Sequence, residues 1–456
     1  MKVTKSSIVS KAHKVLVPKF ENQQLTSFSG LIVFQALFDQ LKLKSRIAKC
    51  FSPRGGQYTT SKIILTLIVH IILGYRRLQD IKYYHDDLIV KRTLGLQILP
   101  SAATLSRVLD NLEEGEIEFY RLVSEKLVLD RLQKENLCRV TADFDGTVQN
   151  TKRHAEGTAV GFNKVKKGNR SYYPLLCTVA QTGQVLDAYH RPGNVHDSNG
   201  ADQFIYNRLL QLKKTLPQAI LETRMDSAFF NETIVDKLND EEIEFTISVP
   251  FARFTELKEL IEGRKRWRSL DNTTSYFESD WKPKSWKGSC RFIFIRTLAK
   301  KQNKNPVQLD LFEPYEYGYE FKVIVTNKTQ KARAILKFHN GRGTQEGIIG
   351  EVKSHCFQDC VPVQSLNGNK AFLFSGIIAH NLTRELQMES NNKAFNTSEK
   401  RRPLWEFSTL ETLRKKIIRR AGRVIKPQGK LTLIMGANEA VENELTHYLG
   451  ALGVTR

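Results

Sequence analysis

The stretch LCRVTADFDGTV (137–148) decides the fold. It is short, rich in β-forming residues and closed by Gly146, and it follows about a hundred residues of helical patterning. Beyond it, SYYPLLCTVAQTGQVLDAYHR (171–191) reads as two strands turned at Gln181-Thr182-Gly183. GADQFIYNRLLQLKKTL (200–216) reads as a helix, AILETRMDSAFF (219–230) as a strand running into a turn, and EIEFTISVP as a strand ending at Pro250. Strand, hairpin, helix and strand in that order is α/β behaviour with a mixed sheet.

Working outward, residues 30–135 read as mostly helical. TTSKIILTLIVHIILGYRRLQDI (59–81) starts at Thr59 or Thr60 as N-cap and stops near Gly74. LPSAATLSRVLDNLEEGEIEFYRLVSEKLVLDRL (99–132) opens on Pro100 and Ser101 and then repeats apolar residues at helical spacing. Residues 1–30 read as a basic arm. Residues 251–330 read as a β-rich insertion, with strands such as CRFIFIRTL (290–298) and EFKVIVTN (320–327) and with Trp267, Trp281 and Trp286. Helical pattern returns at 344–356 and 369–389.

The chain has 456 residues, with 70 Lys and Arg against 48 Asp and Glu, a formal net charge of +22. Such an excess answers to a polyanion. The longest apolar run, IILTLIVHIIL (63–73), holds a Thr and a His and falls well short of the roughly 20 residues of a spanning helix. MKVTKSSIVSKAHK lacks the apolar stretch of a secretory signal. Six scattered cysteines suit reduced thiols. The expectation is a soluble, cytoplasmic, nucleoid-associated protein with no membrane partner.

Three acidic residues stand in unusual settings. Asp145 sits where a strand meets a glycine, Asp226 where a strand ends, and Glu346 on a helix after the Gly-containing loop of HNGRGTQEGIIGEVK (339–353). Strand ends are where sites gather in α/β sheets. An acid after a strand is most often a turn former, so one alone would say little. Three carboxylates brought together repel unless divalent ions neutralise them, and hard oxygen ligands select Mg²⁺ or Mn²⁺. Two such ions can activate a water or a 3′-hydroxyl and steady the leaving oxygen in a phosphoryl displacement. Arg342, Glu346 and Lys353 fall at i, i+4 and i+11, on one helical stripe.

FDGTV, RMDSAFF and HNGRGTQEGIIGEVK together resemble the three catalytic blocks of bacterial insertion-sequence transposases with a D-D-E triad. The branch is the one with a Tyr-x2-Arg-x3-Glu-x6-Lys signature. Arg342, Glu346 and Lys353 match its spacing, and His339 stands where the signature has Tyr. RPGNVHDSNGADQF (191–204) and the leader at 55–81 are also similar to this group, so the likeness covers roughly residues 50–430.

The resemblance implies a ribonuclease H-like catalytic domain, with the first aspartate on the first strand and the second just past the fourth. The glutamate lies on a later helix, beyond a β-rich insertion. It implies that Asp145, Asp226 and Glu346 are catalytic and hold two Mg²⁺ or Mn²⁺ ions, and that Arg342 and Lys353 hold DNA phosphates. The family's first aspartate is followed by x-Thr or x-Ser, which selects Asp145 (Gly146-Thr147) over Asp143; Asp143, on the same strand face, is a candidate to brace the ligands from behind. The expected domains are a helical DNA-binding region (1–135), a catalytic core in two parts (136–250 and 331–395) around the insertion (251–330), and a basic C-terminal region (396–456).

The segment 151–170 holds six Lys and Arg and one Glu beside the first catalytic strand. Its Lys164, Lys166, Lys167 and Arg170 read as a phosphate-gripping loop. The tail 400–430 carries 11 Lys and Arg against 2 Glu. There TLRKKIIRRAGRVI reads as a helix with one face, including Arg419 and Arg420, on DNA. His70 reads as a satisfied core histidine, and Cys356 and Cys360 as core thiols. The expected activity is cutting of transposon terminal inverted repeats and joining to target DNA, by at least a dimer in the DNA complex. The alternatives are a nuclease of the same fold and an inactive DNA-binding protein.

Overall fold

The computed structural model describes residues 15–21, 23–161, 166–195, 200–299 and 318–454. A two-residue strand β1 (Leu25–Thr26) precedes six helices: α1 (Leu31–Gln40), α2 (Leu43–Ala48), α3 (Thr60–Leu73), α4 (Leu88–Leu94), α5 (Ala102–Asp110) and α6 (Glu114–Glu135). The start and stop of α3 follow from its end residues. The Thr59 side chain accepts from the Lys62 amide, and Gly74, at φ 94°, closes the helix in the left-handed region. Nearly all of α3 is buried, which accounts for an apolar run too short for a membrane. No helix among the described residues is long and apolar enough to cross one.

The central sheet is built from β2 (Arg139–Gly146), β6 (Leu175–Val179), β7 (Gln184–Tyr189), β8 (Ile220–Met225), β9 (Glu244–Val249), β10 (Arg268–Ser269), β11 (Thr274–Trp281), β12 (Cys290–Leu298) and β13 (Tyr319–Thr326). Between β2 and β6, a small second sheet holds β3 (Gln149–Thr151), β4 (Ala159–Val160) and β5 (Arg170–Tyr172). The central order is β10-β11-β12-β13-β9-β8-β2-β6-β7. β2 runs parallel to β8, and β8 to β9; the other pairs are antiparallel. The β-rich segment after residue 250 thus forms no sheet of its own. Its strands extend the central one through β13 on β9. The segment's tryptophans pack with phenylalanines: Trp286 stacks on Phe230 at 4.8 Å, and Trp281 meets Phe292 edge-on at 5.1 Å.

The helices of the second half are α7 (Ala201–Thr215), α8 (Glu232–Asp240), α9 (Thr255–Glu262), α10 (Ala332–Asn340), α11 (Gly343–His355), α12 (Leu366–Ser390), α13 (Leu410–Leu413) and α14 (Glu439–Ala451). α12 is buried on all sides through most of its length. Its polar residues therefore find partners: Ser375 pairs with Tyr120, Asn381 with both backbone groups of Val185, Arg384 with Glu351, and Glu385 with Arg131. The helices α1–α6 share one apolar core with α11, α12 and the C-terminal elements.

The C-terminal segment departs from the expected helix. After α13 comes a single π-turn (Arg414–Ile418), then strands β14 (Gly422–Ile425) and β15 (Thr432–Met435). β14 lies between β1 and β15. The physical reason is Arg414, which the turn draws inside. Its guanidinium donates to the carbonyls of Ile71, Ile72 and His355, closing the ends of two helices.

Candidate active site

β2 is two-faced. Val140, Ala142 and Phe144 enter the apolar core, while Arg139, Thr141, Asp143 and Asp145 lie on the opposite face. The parallel register sets Thr141 beside Glu222 and Asp143 beside Arg224. Asp145 lies two residues past the last of these pairs on β2, and Asp226 follows directly on the end of β8. Asp226 keeps extended backbone (φ −83°, ψ −176°), and its side chain caps the turn Ser227–Phe229 through the Ala228 amide at 2.9 Å. Asp145 Oδ1 accepts from the Gly146 amide at 2.8 Å. Both aspartates are half-buried, at the rim of a face that is otherwise closed.

Below them lies a buried ionic layer. Arg224 binds Asp143 with two N–H groups, at 2.7 and 2.6 Å. Glu222 takes Lys328 at 2.6 Å, Arg401 at 2.8 Å and Arg139 at 3.0 Å. Burial disfavours the charge on Glu222, yet Arg401 and Lys328 hold its carboxyl down at about 2. On Asp143, burial pushes the carboxyl up and Arg224 pulls it back. Neither acid is open to a ligand.

The third block meets Asp145 at the entry to α11. Arg342 Nη1 lies 3.2 Å from Asp145 Oδ2. Glu346 follows one turn later and is exposed, and Lys353 is half-buried. Ile348, Ile349 and Val352 bury the other side of α11, and Glu351 anchors it to Arg384 and the Leu410 amide. His339 points inward: Nε2 meets Ser248 Oγ at 2.9 Å and Nδ1 meets Thr246 Oγ1 at 3.0 Å. Burial keeps this imidazole neutral and far below its ordinary pKa. It ties α10 to β9 rather than facing the site.

Among the described residues, no three His, Cys, Asp or Glu side chains are grouped as a metal-ligand cluster. Asp145 instead has the Arg342 guanidinium beside it. The donor chemistry still suits a hard divalent ion: two carboxylates stand at the ends of adjacent strands, and a third lies one turn beyond the arginine that reaches Asp145.

The remaining predicted residues are spread out. Lys164 lies outside the described residues, and Lys166 and Lys167 are exposed. Arg170 sits on β5 and bonds Thr158 Oγ1 at 3.0 Å. Arg419 donates to the Leu73 carbonyl at the end of α3, and Arg420 folds back onto the carbonyls of Lys415 and Lys416. His70 sits between the Tyr84 hydroxyl and the Arg77 carbonyl, as a satisfied core histidine should. Among the described residues, all six cysteines are free thiols. Glu222, Arg224, Lys328 and Arg401 escaped the sequence reading. The spacing of Arg224 and Asp226, matching that of Asp143 and Asp145, was the available signal for one of them.

The family model described as Transposase DDE domain group 1 matches residues 9–455. The chain belongs to this family of DDE transposases. No curated protein matches it. Among solved structures, it is similar to the piggyBac transposase in a synaptic complex with hairpin DNA. That likeness is 11% identical with a TM-score of 0.40, over 78% of this chain and 76% of the other. It is also similar to the Mos1 mariner transposase in a paired-end complex with Mn, at 14% identity and a TM-score of 0.17. There the match covers 42% of this chain and 60% of the other. Both likenesses are too loose to bear on the site.

Proposed function

We propose that this chain cuts the ends of a bacterial insertion sequence and joins them to target DNA through Asp145, Asp226 and Glu346. What supports this is that Asp145 and Asp226 follow the paired, parallel stretches of β2 and β8, and that Arg342 ties Asp145 to the entry of the helix of Glu346. The strand order around them supports a ribonuclease H-like core. Asp145 lies on the first strand of the central sheet and Asp226 just past the fourth.

The three carboxylates would hold two Mg²⁺ or Mn²⁺ ions, whose bound charge activates the attacking oxygen and neutralises the leaving one. The protein's own groups do the rest. Asp145 and Asp226 project from strand ends fixed by the buried ionic layer, so their backbone does not shift when charge arrives. Arg342 neutralises Asp145 before DNA binds and turns to a phosphate oxygen afterwards; Lys353 grips a phosphate further along the same helix. Lys166 and Lys167, exposed on the segment after β4, meet the DNA backbone electrostatically. The helical region 1–135 serves as the DNA-binding part, and two copies hold the paired ends. The protein works in the cytoplasm, on the nucleoid.

The test is incubation of the protein with DNA bearing its transposon ends, target DNA and Mg²⁺. Strand-transfer product is the expected result. Cleavage without joining would make the protein a nuclease, and binding without either would make it a DNA-binding protein only.

A further inference from the structure

We propose that Arg224 is a positioning residue, a single side chain that ties the three acid-bearing segments to one another. This rests on Asp145, Asp226 and Glu346 being the catalytic acids. Arg224 is fully buried and directs N–H groups three ways. Nε and Nη2 hold Asp143 at 2.7 and 2.6 Å, while Nη1 reaches the Phe338 carbonyl at 3.1 Å and the Lys400 carbonyl at 2.7 Å. Apart from Lys400, the groups involved are close in the chain to the acids. Asp143 is two residues before Asp145, Arg224 is two before Asp226, and Phe338 is eight before Glu346. Phe338 lies in the last turn of α10, where its carbonyl accepts the Gly341 amide at 3.0 Å and offers its second lone pair to Arg224. The Arg224 guanidinium also lies 5.2 Å from the Phe338 ring centroid.

The fit is close. A side chain at Gly341, between α10 and α11, would overlap both the Arg224 guanidinium and the Lys400 carbonyl. The segment carrying Lys400 is itself stitched to β8 by the Arg401–Glu222 pair. A buried ion pair adds little net stability over apolar residues of like shape. Holding one strand, one helix end and one crossing segment at once is a task for a planar, five-donor group. Lysine cannot perform it.

The experiment compares wild type, Arg224→Lys and the double variant Asp143→Leu/Arg224→Met, with Asp226→Asn as control. Mn²⁺ binding to the DNA-free protein is titrated by electron paramagnetic resonance, alongside thermal melting and DNA binding in EDTA. Arg224→Lys should melt cooperatively, bind DNA as wild type does, and lose about tenfold or more in Mn²⁺ affinity, the usual effect of removing a group that orients metal ligands. The Mn²⁺ concentration for half-maximal cleavage should rise in step. The double variant, which leaves no charge unpaired, should regain stability but not Mn²⁺ affinity. Wild-type Mn²⁺ affinity in either folded variant overturns the proposal, and so does failure of both to fold, which would make Arg224 a stability residue. Should Asp226→Asn keep Mn²⁺ binding and cleavage, the site assignment falls instead.

Discussion

Arg342 Nη1 stands 3.2 Å from Asp145 Oδ2, across 197 residues of chain. The pair joins the first strand of the central sheet to the entry of the helix that carries Glu346. A guanidinium thus compensates the half-buried Asp145 carboxylate.

Arg342→Ala should therefore separate two properties. The DNA-free protein should bind Mn²⁺ at least as tightly as wild type, because no cation competes for Asp145. Cleavage should fall about a hundredfold, the usual cost of losing one charge-stabilising donor. Mn²⁺ titration and single-turnover cleavage read the two effects; weaker Mn²⁺ binding would contradict this role.

Asp145→Asn, Asp226→Asn and Glu346→Gln should each lower cleavage and joining by roughly three orders of magnitude or more, since each removes a proposed metal ligand. Binding to transposon-end DNA in EDTA should stay within about twofold, by gel shift, because phosphate contacts come from cations elsewhere. Retained cleavage in any one would remove that residue from the site.

Gly341→Ala should destabilise the protein by about 1–3 kcal/mol, because the added methyl meets the Lys400 carbonyl and Arg224, neither of which has room to move. Gly343→Ala, two residues on, meets nothing within 4 Å and lies in α11. It should be neutral or slightly stabilising, since alanine favours helix by up to about 1 kcal/mol. Denaturant unfolding of the two variants checks the contrast.

Stability should decline on mild acidification. Burial lowers His70 to about 4, His190 to about 3 and His380 to about 4. Above pH 6.5 these groups are neutral in both states and their contribution is intact. Below it the unfolded chain takes up protons that the folded one refuses, so each histidine costs about 1.4 kcal/mol per pH unit down to its folded pKa. Asp187, raised by burial to about 6, acts in the opposite sense between its unfolded value and 6. Three groups outweigh one, and Tm should fall from pH 7 to pH 5. A flat profile would contradict these assignments.

Arg414→Ala should cost about 3–5 kcal/mol, the range for stripping one partner from a buried charged network. It would leave the carbonyls of Ile71, Ile72 and His355 without this donor and Glu411 with only the longer Lys415 and Arg419 contacts. Lys415→Ala, at the exposed neighbouring position, should change stability by less than about 0.5 kcal/mol. Thermal melts distinguish the two.

Much of the fold was legible locally. The caps of α3 at Thr59 and Gly74, the turn before Gly183 and the strands of the central sheet follow from patterns within a few residues. The tail was not. TLRKKIIRRAGRVI has helical periodicity, but Arg414 finds three carbonyls from distant helices and β14 finds β1, which outweighs local preference. The β-rich segment after residue 250 read as an insertion, and its local pattern does not say where its strands pair. Only strand pairing, β13 on β9, made it part of the main sheet.

By itself, the sequence determined the identity and order of the three acidic blocks, because turn residues and helical spacing act over short distances. It also set the positive charge that suits a polyanion. Tertiary structure decided which arginine pairs with Asp145, and that Arg224, Glu222 and Arg401 form a closed ionic layer around Asp143. Those facts depend on strand register and on desolvation. Both arise only when segments far apart in the chain exclude water from one another.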